Sequence, residues 1–174
     1  MLMKRLKAIA DKVPPGSNVA DIGTDHGFIP VYLIKKGFAS RVIASDISRG
    51  SLEKAKSLIK EEGLTDIIET RLGPGLRVIK AGEVDTVIIA GMGGIMIKNI
   101  LEESPDIIKN IKTLILQPMN FQNKLRHWLI ENRFTIRDEE LVMDNGRIYE
   151  IMVVEHGQQE QWSEIELEIS PRLL

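Results

Sequence analysis

The chain contains no cysteine. Disulfides, thiol nucleophiles and cysteine-ligated zinc or iron–sulfur centres are therefore excluded. Long apolar runs are missing as well, and none approaches the roughly 20 residues that span a bilayer. Residues 1–13 carry Lys4, Arg5, Lys7 and Lys12 where a secretion signal would have an uninterrupted apolar core. A soluble, cytoplasmic protein is the expectation. Histidine is scarce, and His26, His127 and His156 stand apart without ligand-spaced company, so no metal is expected. Net charge is small: 23 basic against 25 acidic side chains leave −2, which argues against a protein that grips polyanions by bulk charge.

What remains is enough for one domain. With 174 residues, 43% of them hydrophobic, the chain can bury a substantial core. Its charges are unevenly placed. Residues 1–60 hold 11 basic and 5 acidic side chains, whereas residues 138–168 hold 1 basic and 10 acidic. A basic front and an acidic back can steer a nucleic acid to one face, and solvated helix faces that are basic early account for the pattern equally well.

Hydrophobic periodicity orders the elements. Apolar residues at 2, 6, 9, 10 and 13 share one helical face, and Pro14-Pro15-Gly16 ends that helix. Strands are expected over 18–22, 41–45, 67–72, 84–90 and 113–116. Helices are expected over 28–36, 48–62, 95–102 and 121–132, with Gly37 and Gly63 as stops. Residues 134–143 and 147–154 flank Asp144-Asn145-Gly146, a hairpin signal. Residues 164–169 alternate Glu with Ile or Leu and read as an edge strand or an extended linker, broken by Ser170-Pro171. Alternating strands and helices imply a mostly parallel α/β sheet of the Rossmann-like, doubly wound kind, in the methyltransferase variety, closed by an antiparallel hairpin. One domain over 1–160 with a tail over 161–174 follows.

In such sheets ligands bind beyond the carboxyl ends of the strands, where strand order reverses. Three segments fall there. Asp21-Ile22-Gly23-Thr24-Asp25-His26-Gly27 ends the first strand. Its glycines are spaced G-x-x-x-G, not as a dinucleotide fingerprint, and Asp21 suits a positively charged ligand group, such as the amino group of a methionine moiety, better than a pyrophosphate. A strand-ending Asp that caps the next turn is the alternative. Asp46, with Ile47 after it, follows the second strand at the spacing where an acid receives ribose hydroxyls. Because Ser48 can cap the next helix, Asp46 is expected to be free for a ligand. Ala90-Gly91-Met92-Gly93-Gly94 follows the fourth strand, its backbone open to a flat partner and its Met92 thioether suited to a ring. A tight strand-to-helix connection is the alternative there.

Asp-Ile-Gly-Thr-Asp-His-Gly-Phe-Ile-Pro, Ile-Ala-Gly-Met-Gly-Gly, Leu-Gln-Pro at 116–118 and Gly-Arg-Ile-Tyr-Glu-Ile at 146–151 occur in that order. Together they resemble the bacterial tRNA (adenine(22)-N1)-methyltransferase family, from about Lys4 to the end of the chain. The resemblance implies methylation of adenine N1 in tRNA with S-adenosyl-L-methionine as cofactor. It implies Asp21, Gly23, Thr24, His26, Gly27, Asp46, Ile47, Gly73, Pro74, Ala90, Gly91 and Met92 around that cofactor, and Asp25 as the catalytic acid. It departs from the family at Gly73-Pro74-Gly75, where Gly-Asp-Gly is usual and the acid meets the cofactor's adenine. The family continues into a C-terminal helical domain after a segment resembling 166–174, which makes the tail a lead toward a domain absent from this chain. No protein partner is implied.

Adenine N1 lies on the pairing edge, so the target must leave its stack. Gly93, Gly94, Gln117, Pro118 and Asn120 are expected to wall its pocket, with loop termination and helix capping as the alternative for Gln117 and Asn120. Lys4, Arg5, Lys7 and Lys12, with Lys35, Lys36 and Arg41, are expected to meet phosphates. For Asp25 the alternative is a cap on the helix near Phe28. Two other functions share the fold: methylation of another RNA or a small molecule, and a non-catalytic RNA-binding module, which Pro74 would favour. An NAD dehydrogenase is disfavoured by the glycine spacing.

Overall fold

Residues 86–92 show why a continuously apolar strand suits this architecture. Val87 and Ile89 point into one buried layer and Ile88 into the other, and all three are inaccessible to solvent. A strand covered on both faces has no polar side to alternate with. The computed structural model describes residues 2–173.

Among the described residues seven strands form one sheet: β1 (Ser17–Ile22), β2 (Ala39–Asp46), β3 (Ile68–Leu72), β4 (Thr86–Met92), β5 (Thr113–Pro118), β6 (Phe134–Asp144) and β7 (Arg147–His156). Their spatial order is β3-β2-β1-β4-β5-β7-β6. The first five pair in parallel, while β7 runs antiparallel between β5 and β6. Strand order therefore reverses between β1 and β4, the place where ligands bind in open α/β sheets.

Helices cover both faces. α1 (Lys4–Ala10), α2 (Phe28–Lys35) and α3 (Arg49–Glu61) bury Ile9, Leu33, Ala55 and Ile59 against Val19, Val42 and Ile88. On the other face α4 (Gly94–Glu102) and α6 (Gln122–Glu131) bury Ile97, Leu101, Leu125 and Leu129 against Val87, Leu114 and Leu116. Ser48 caps α3 by accepting from the Ser51 N–H. A short helix, α5 (Pro105–Ile108), and a 3-10 turn over Gly75–Val78 fill connections that periodicity does not register, because one turn carries no period.

The hairpin turns at Asn145 and Gly146, both with positive φ, as the Asp-Asn-Gly signal requires. Only Leu114–Leu116 of β5 pair with β7, so the hairpin tip extends past the carboxyl end of β5 and packs on α1. Lys12 reaches Asp138 and Glu140, each at 2.8 Å, and the Arg5 N–H donates to Asp144 at 3.0 Å. The basic front and the acidic back thus meet in space.

The tail departs from expectation. Residues 164–168 form a helix, α7 (Glu164–Glu168), not an extended segment. The Ser163 hydroxyl accepts from the Glu166 N–H, and the Glu166 carboxylate accepts from the Ser163 N–H at 2.8 Å. This reciprocal cap satisfies two backbone donors and outweighs a two-residue alternation that is equally readable as strand. The Arg126 guanidinium, fully buried on α6, donates to the carbonyls of Leu167 and Glu168 at 2.7 and 3.1 Å and fixes the end of α7.

Candidate functional site

The reversal of strand order opens a cavity of about 470 Å³ lined from β1 by Asp21, from β2 by Asp46 and from β4 by Ala90, Gly91 and Met92. The turn after β1 contributes Gly23, Thr24, Asp25 and His26, and α1 closes one wall with Arg5, Leu6 and Met3 at its N-cap.

Asp21 is 3% exposed, and its carboxylate accepts from the Thr24 hydroxyl at 2.8 Å. Burial pushes its pKa up to about 7, opposed by the Thr24 hydrogen bond and aided by the nearby Asp46 charge. Among the described residues no cation of the chain pairs with it. A buried carboxyl without a counter-charge, facing a cavity, is complementary to a cationic ligand group.

Asp46 is not free in the sense expected. Ser48 does cap α3, yet one Asp46 oxygen accepts from the Ser48 N–H at 2.8 Å and the other from the Asp25 N–H at 3.0 Å. These bonds hold the carboxylate in place and tie the β1 turn to the tip of β2. The Gly23 and Thr24 N–H groups add to that tie by donating to the Ser45 carbonyl at 2.9 and 2.8 Å. Each carboxylate oxygen has a second lone pair, so Asp46 can still accept from two hydroxyls. Gly23 has φ +74°, and a Cβ there would lie 2.5 Å from the Met92 methyl, so the turn and the β4 tip approach through this glycine.

Asp25 occupies the left-handed region, with φ +54°. Gly27, not Asp25, is the N-cap position of α2, and no side chain caps that helix. The Asp25 carboxylate is 64% exposed and lies 2.8 Å from His26 Nδ1. The His26 ring in turn stacks in parallel on Phe28 at 5.2 Å. Asp25 thus presents an oriented carboxylate at the mouth, free of capping duty.

Several expected residues lie elsewhere. Gly27 packs against Ala55 of α3, Gly73 against Val78, and Pro74 begins the 3-10 turn; none of them lines the cavity, nor does the exposed Ile47. Gln117 is fully buried and accepts from Arg5 Nη1 at 2.7 Å, so it supports a wall without facing a ligand. Pro118 is buried, and its carbonyl accepts from Gln117 Nε2. Gly93 and Gly94 serve the tight connection: a Cβ on Gly94 would sit 2.6 Å from the Asn120 and Phe121 carbonyls, and one on Gly93 2.8 Å from Asn120 Oδ1. Asn120 is exposed beside them and does not cap α6.

The basic residues stand in different settings. Arg5 lies in the cavity wall, with its guanidinium 5.2 Å over the Tyr149 ring. Lys7 pairs with Asp11 at 2.5 Å, Lys35 with Glu62 at 2.6 Å and Arg41 with Glu69 at 2.6 Å. Lys36 sits over Tyr32. Lys4 is exposed and pairs with no acid among the described residues. Met3, Leu6, Phe28 and Ile29 also line the cavity and were not anticipated. Phe28 and Ile29 stand in the motif that carries the family resemblance but had no site role assigned, Leu6 carried only a core signal and Met3 none, because a helix end laid over a cleft looks like any other helix end.

Residues 2–152 match the family described as a methyltransferase domain. The tRNA (adenine(22)-N(1))-methyltransferase of Bacillus subtilis is 41% identical over 156 residues, covering 90% of this chain and 66% of that protein. The chain belongs to the bacterial tRNA (adenine(22)-N1)-methyltransferase family. It spans about two thirds of the length of that Bacillus relative. A Streptococcus pneumoniae structure, described as a candidate tRNA (m1A22) methyltransferase in complex with S-adenosyl-L-methionine, is 36% identical with TM-score 0.95, covering 98% of this chain and 80% of that one. A Mycoplasma capricolum family member in complex with S-adenosyl-homocysteine is 28% identical with TM-score 0.87, covering 97% of this chain and 75% of that one.

Proposed function

We propose that this chain methylates N1 of an adenine in tRNA, position 22 in the D-arm region, with S-adenosyl-L-methionine as methyl donor. The observation that carries the reading is the pair of carboxylates, Asp21 and Asp46, held at neighbouring strand tips in one cavity with Asp25 at its mouth. The family relatives named for this activity support it.

The residues present fit the cofactor. Asp21 is an uncompensated buried acid suited to an ammonium group, Asp46 is a fixed acceptor suited to ribose hydroxyls, and Gly23 lets the turn after β1 close against the Met92 methyl of β4. Bound there, the cofactor supplies an electrophilic methyl group. The chain's part is alignment, since fixing nucleophile and methyl in line removes the entropic share of the barrier. Methylated adenine carries a positive charge over N1 and the exocyclic amine. Asp25 stabilises that charge or takes the amine proton, and His26 orients its carboxylate. No helix among the described residues is long and apolar enough to cross a membrane, in keeping with a cytoplasmic protein acting on tRNA.

The deciding assay incubates the protein with labelled cofactor and unmodified tRNA and maps the product. Label at N1 of adenine 22 is expected; label only on another RNA or on a small molecule would replace the reading. Asp25→Asn, which tolerates the left-handed backbone, should lower kcat by about 10²–10⁴-fold while cofactor Kd stays within about twofold. Turnover equal to wild type would remove Asp25 from the chemistry.

A further inference from the structure

Position 121 breaks three local preferences at once. It is the N-cap of α6, where a side-chain oxygen is favoured, yet it is a phenylalanine and caps nothing. Its backbone is left-handed, φ +50°, a region bulky residues avoid. Its ring is 54% exposed, and among the described residues no aromatic ring packs on it. The backbone conformation has a packing cause: the Gly94 N–H donates to the Asn120 carbonyl at 2.9 Å, and the Phe121 carbonyl lies against Gly94. That contact requires a left-handed residue but not a phenylalanine, and glycine or asparagine would adopt it at less cost. Local rules broken without a structural return are expected where a residue serves function.

The place supports a role in the reaction. The Met119 N–H donates to the Met92 carbonyl at 2.8 Å, so the Met119–Phe121 loop borders the β4 tip that lines the cavity. Met119, Met96 and Ile95 are 43%, 56% and 38% exposed, the first in the same loop as Phe121 and the other two following Gly94, which the Phe121 carbonyl meets, so apolar side chains are exposed along this edge. Exposed apolar side chains with an aromatic ring among them match the face of a nucleobase rather than a phosphate.

We propose that the Phe121 ring stacks on the base next to the target adenine, filling the gap left in the RNA stack when that adenine enters the cavity. Phe121 is thus a positioning residue for the substrate, and the inference rests on RNA being the substrate. Extrusion costs the stacking of the target base, and a ring that takes its place recovers part of it.

The test uses the full chain and an unmodified tRNA substrate carrying 2-aminopurine beside the target adenine. With Phe121→Ala, kcat/KM for tRNA should fall by roughly ten- to a hundredfold, as expected for loss of one base–aromatic stack. The 2-aminopurine should be brighter in the variant complex than with wild type. Phe121→Trp should restore both readouts. Phe121→Asn should match Phe121→Ala in activity while its Tm equals or exceeds wild type, because asparagine suits the backbone. Cofactor Kd should be unchanged throughout. Wild-type kcat/KM and fluorescence in Phe121→Ala overturn the inference and leave the functional reading standing. A joint loss of Tm and cofactor affinity in Phe121→Asn overturns it as well, since the ring would then be structural. A wild-type protein that leaves tRNA unmodified overturns both.

Discussion

Asp21 and Glu139 are both buried acids with pKa pushed up to about 7, and in both burial is the main cause. Their surroundings differ. Glu139 accepts from the fully buried Arg126 at 3.0 and 3.1 Å, and the same guanidinium reaches Glu150 and the end of α7. Asp21 has a hydroxyl partner and, among the described residues, no cation. One centre is closed on itself and joins α6, the hairpin and the tail; the other is left open toward a cavity. A raised pKa therefore marks burial, and the missing counter-charge marks the ligand site.

The largest effect that would sharpen this contrast is removal of the closed centre's cation. Arg126→Ala should cost about 3–5 kcal/mol in urea unfolding at pH 8, because Glu139 loses the cation that favours its charged form and must stay buried unpaired or take up a proton. The cost should shrink at pH 6, where Glu139 takes up a proton. A cost independent of pH would mean that Arg126 acts by packing alone.

Asp21→Asn should behave in the opposite sense. The wild-type acid binds its proton more tightly folded than unfolded, so its stabilising contribution is complete below about pH 4 and is lost as pH rises through 7. Relieving that penalty should stabilise the variant by on the order of 4 kcal/mol at pH 8 and little at pH 4. Cofactor affinity should fall at the same time. A variant that gains stability and keeps affinity would break the comparison.

The two acids should also separate in their response to ligand. Without cofactor, wild-type stability should decline between pH 5 and 7 through both groups, and Asp21→Asn or Glu139→Gln should each remove about half of the slope. Saturating cofactor should abolish the Asp21 share and leave that of Glu139. Calorimetric Tm measured across this range reads both. Cofactor Kd should correspondingly weaken below pH 7 in wild type and stay flat in Asp21→Asn.

The smallest effect concerns surface charge. Lys4→Glu should reduce the salt slope of tRNA binding by about 1, whereas Lys7→Gln, already paired with Asp11, should leave it unchanged. Equal slopes would show that pairing does not decide which cations meet RNA.

The sheet was legible because strands covered on both faces must be apolar along their whole length, as in Thr86–Met92, and because glycines punctuate the helices between them. Asp21, Asp25 and Asp46 were legible because their distance from strand ends fixes their place at the ligand edge. The tail was not. Glu164–Ile169 alternates in a way that strand and helix both permit, and the Ser163–Glu166 cap that settles it is a local signal easily passed over. Arg5 was illegible for another reason, because only the return of the hairpin onto α1 and the place of Gln117 turn a surface cation into part of a cavity wall.

By itself the sequence determined the order of elements, the position of the strand-end acids and the glycines that let backbones approach, since these follow from period, spacing and the reach of a short turn. Tertiary structure alone decided which charges are spoken for. Lys12 and Asp138 are 126 positions apart in the chain and 2.8 Å apart in the fold. Long-range pairing of that kind depends on where the sheet places its edges, which no local pattern encodes.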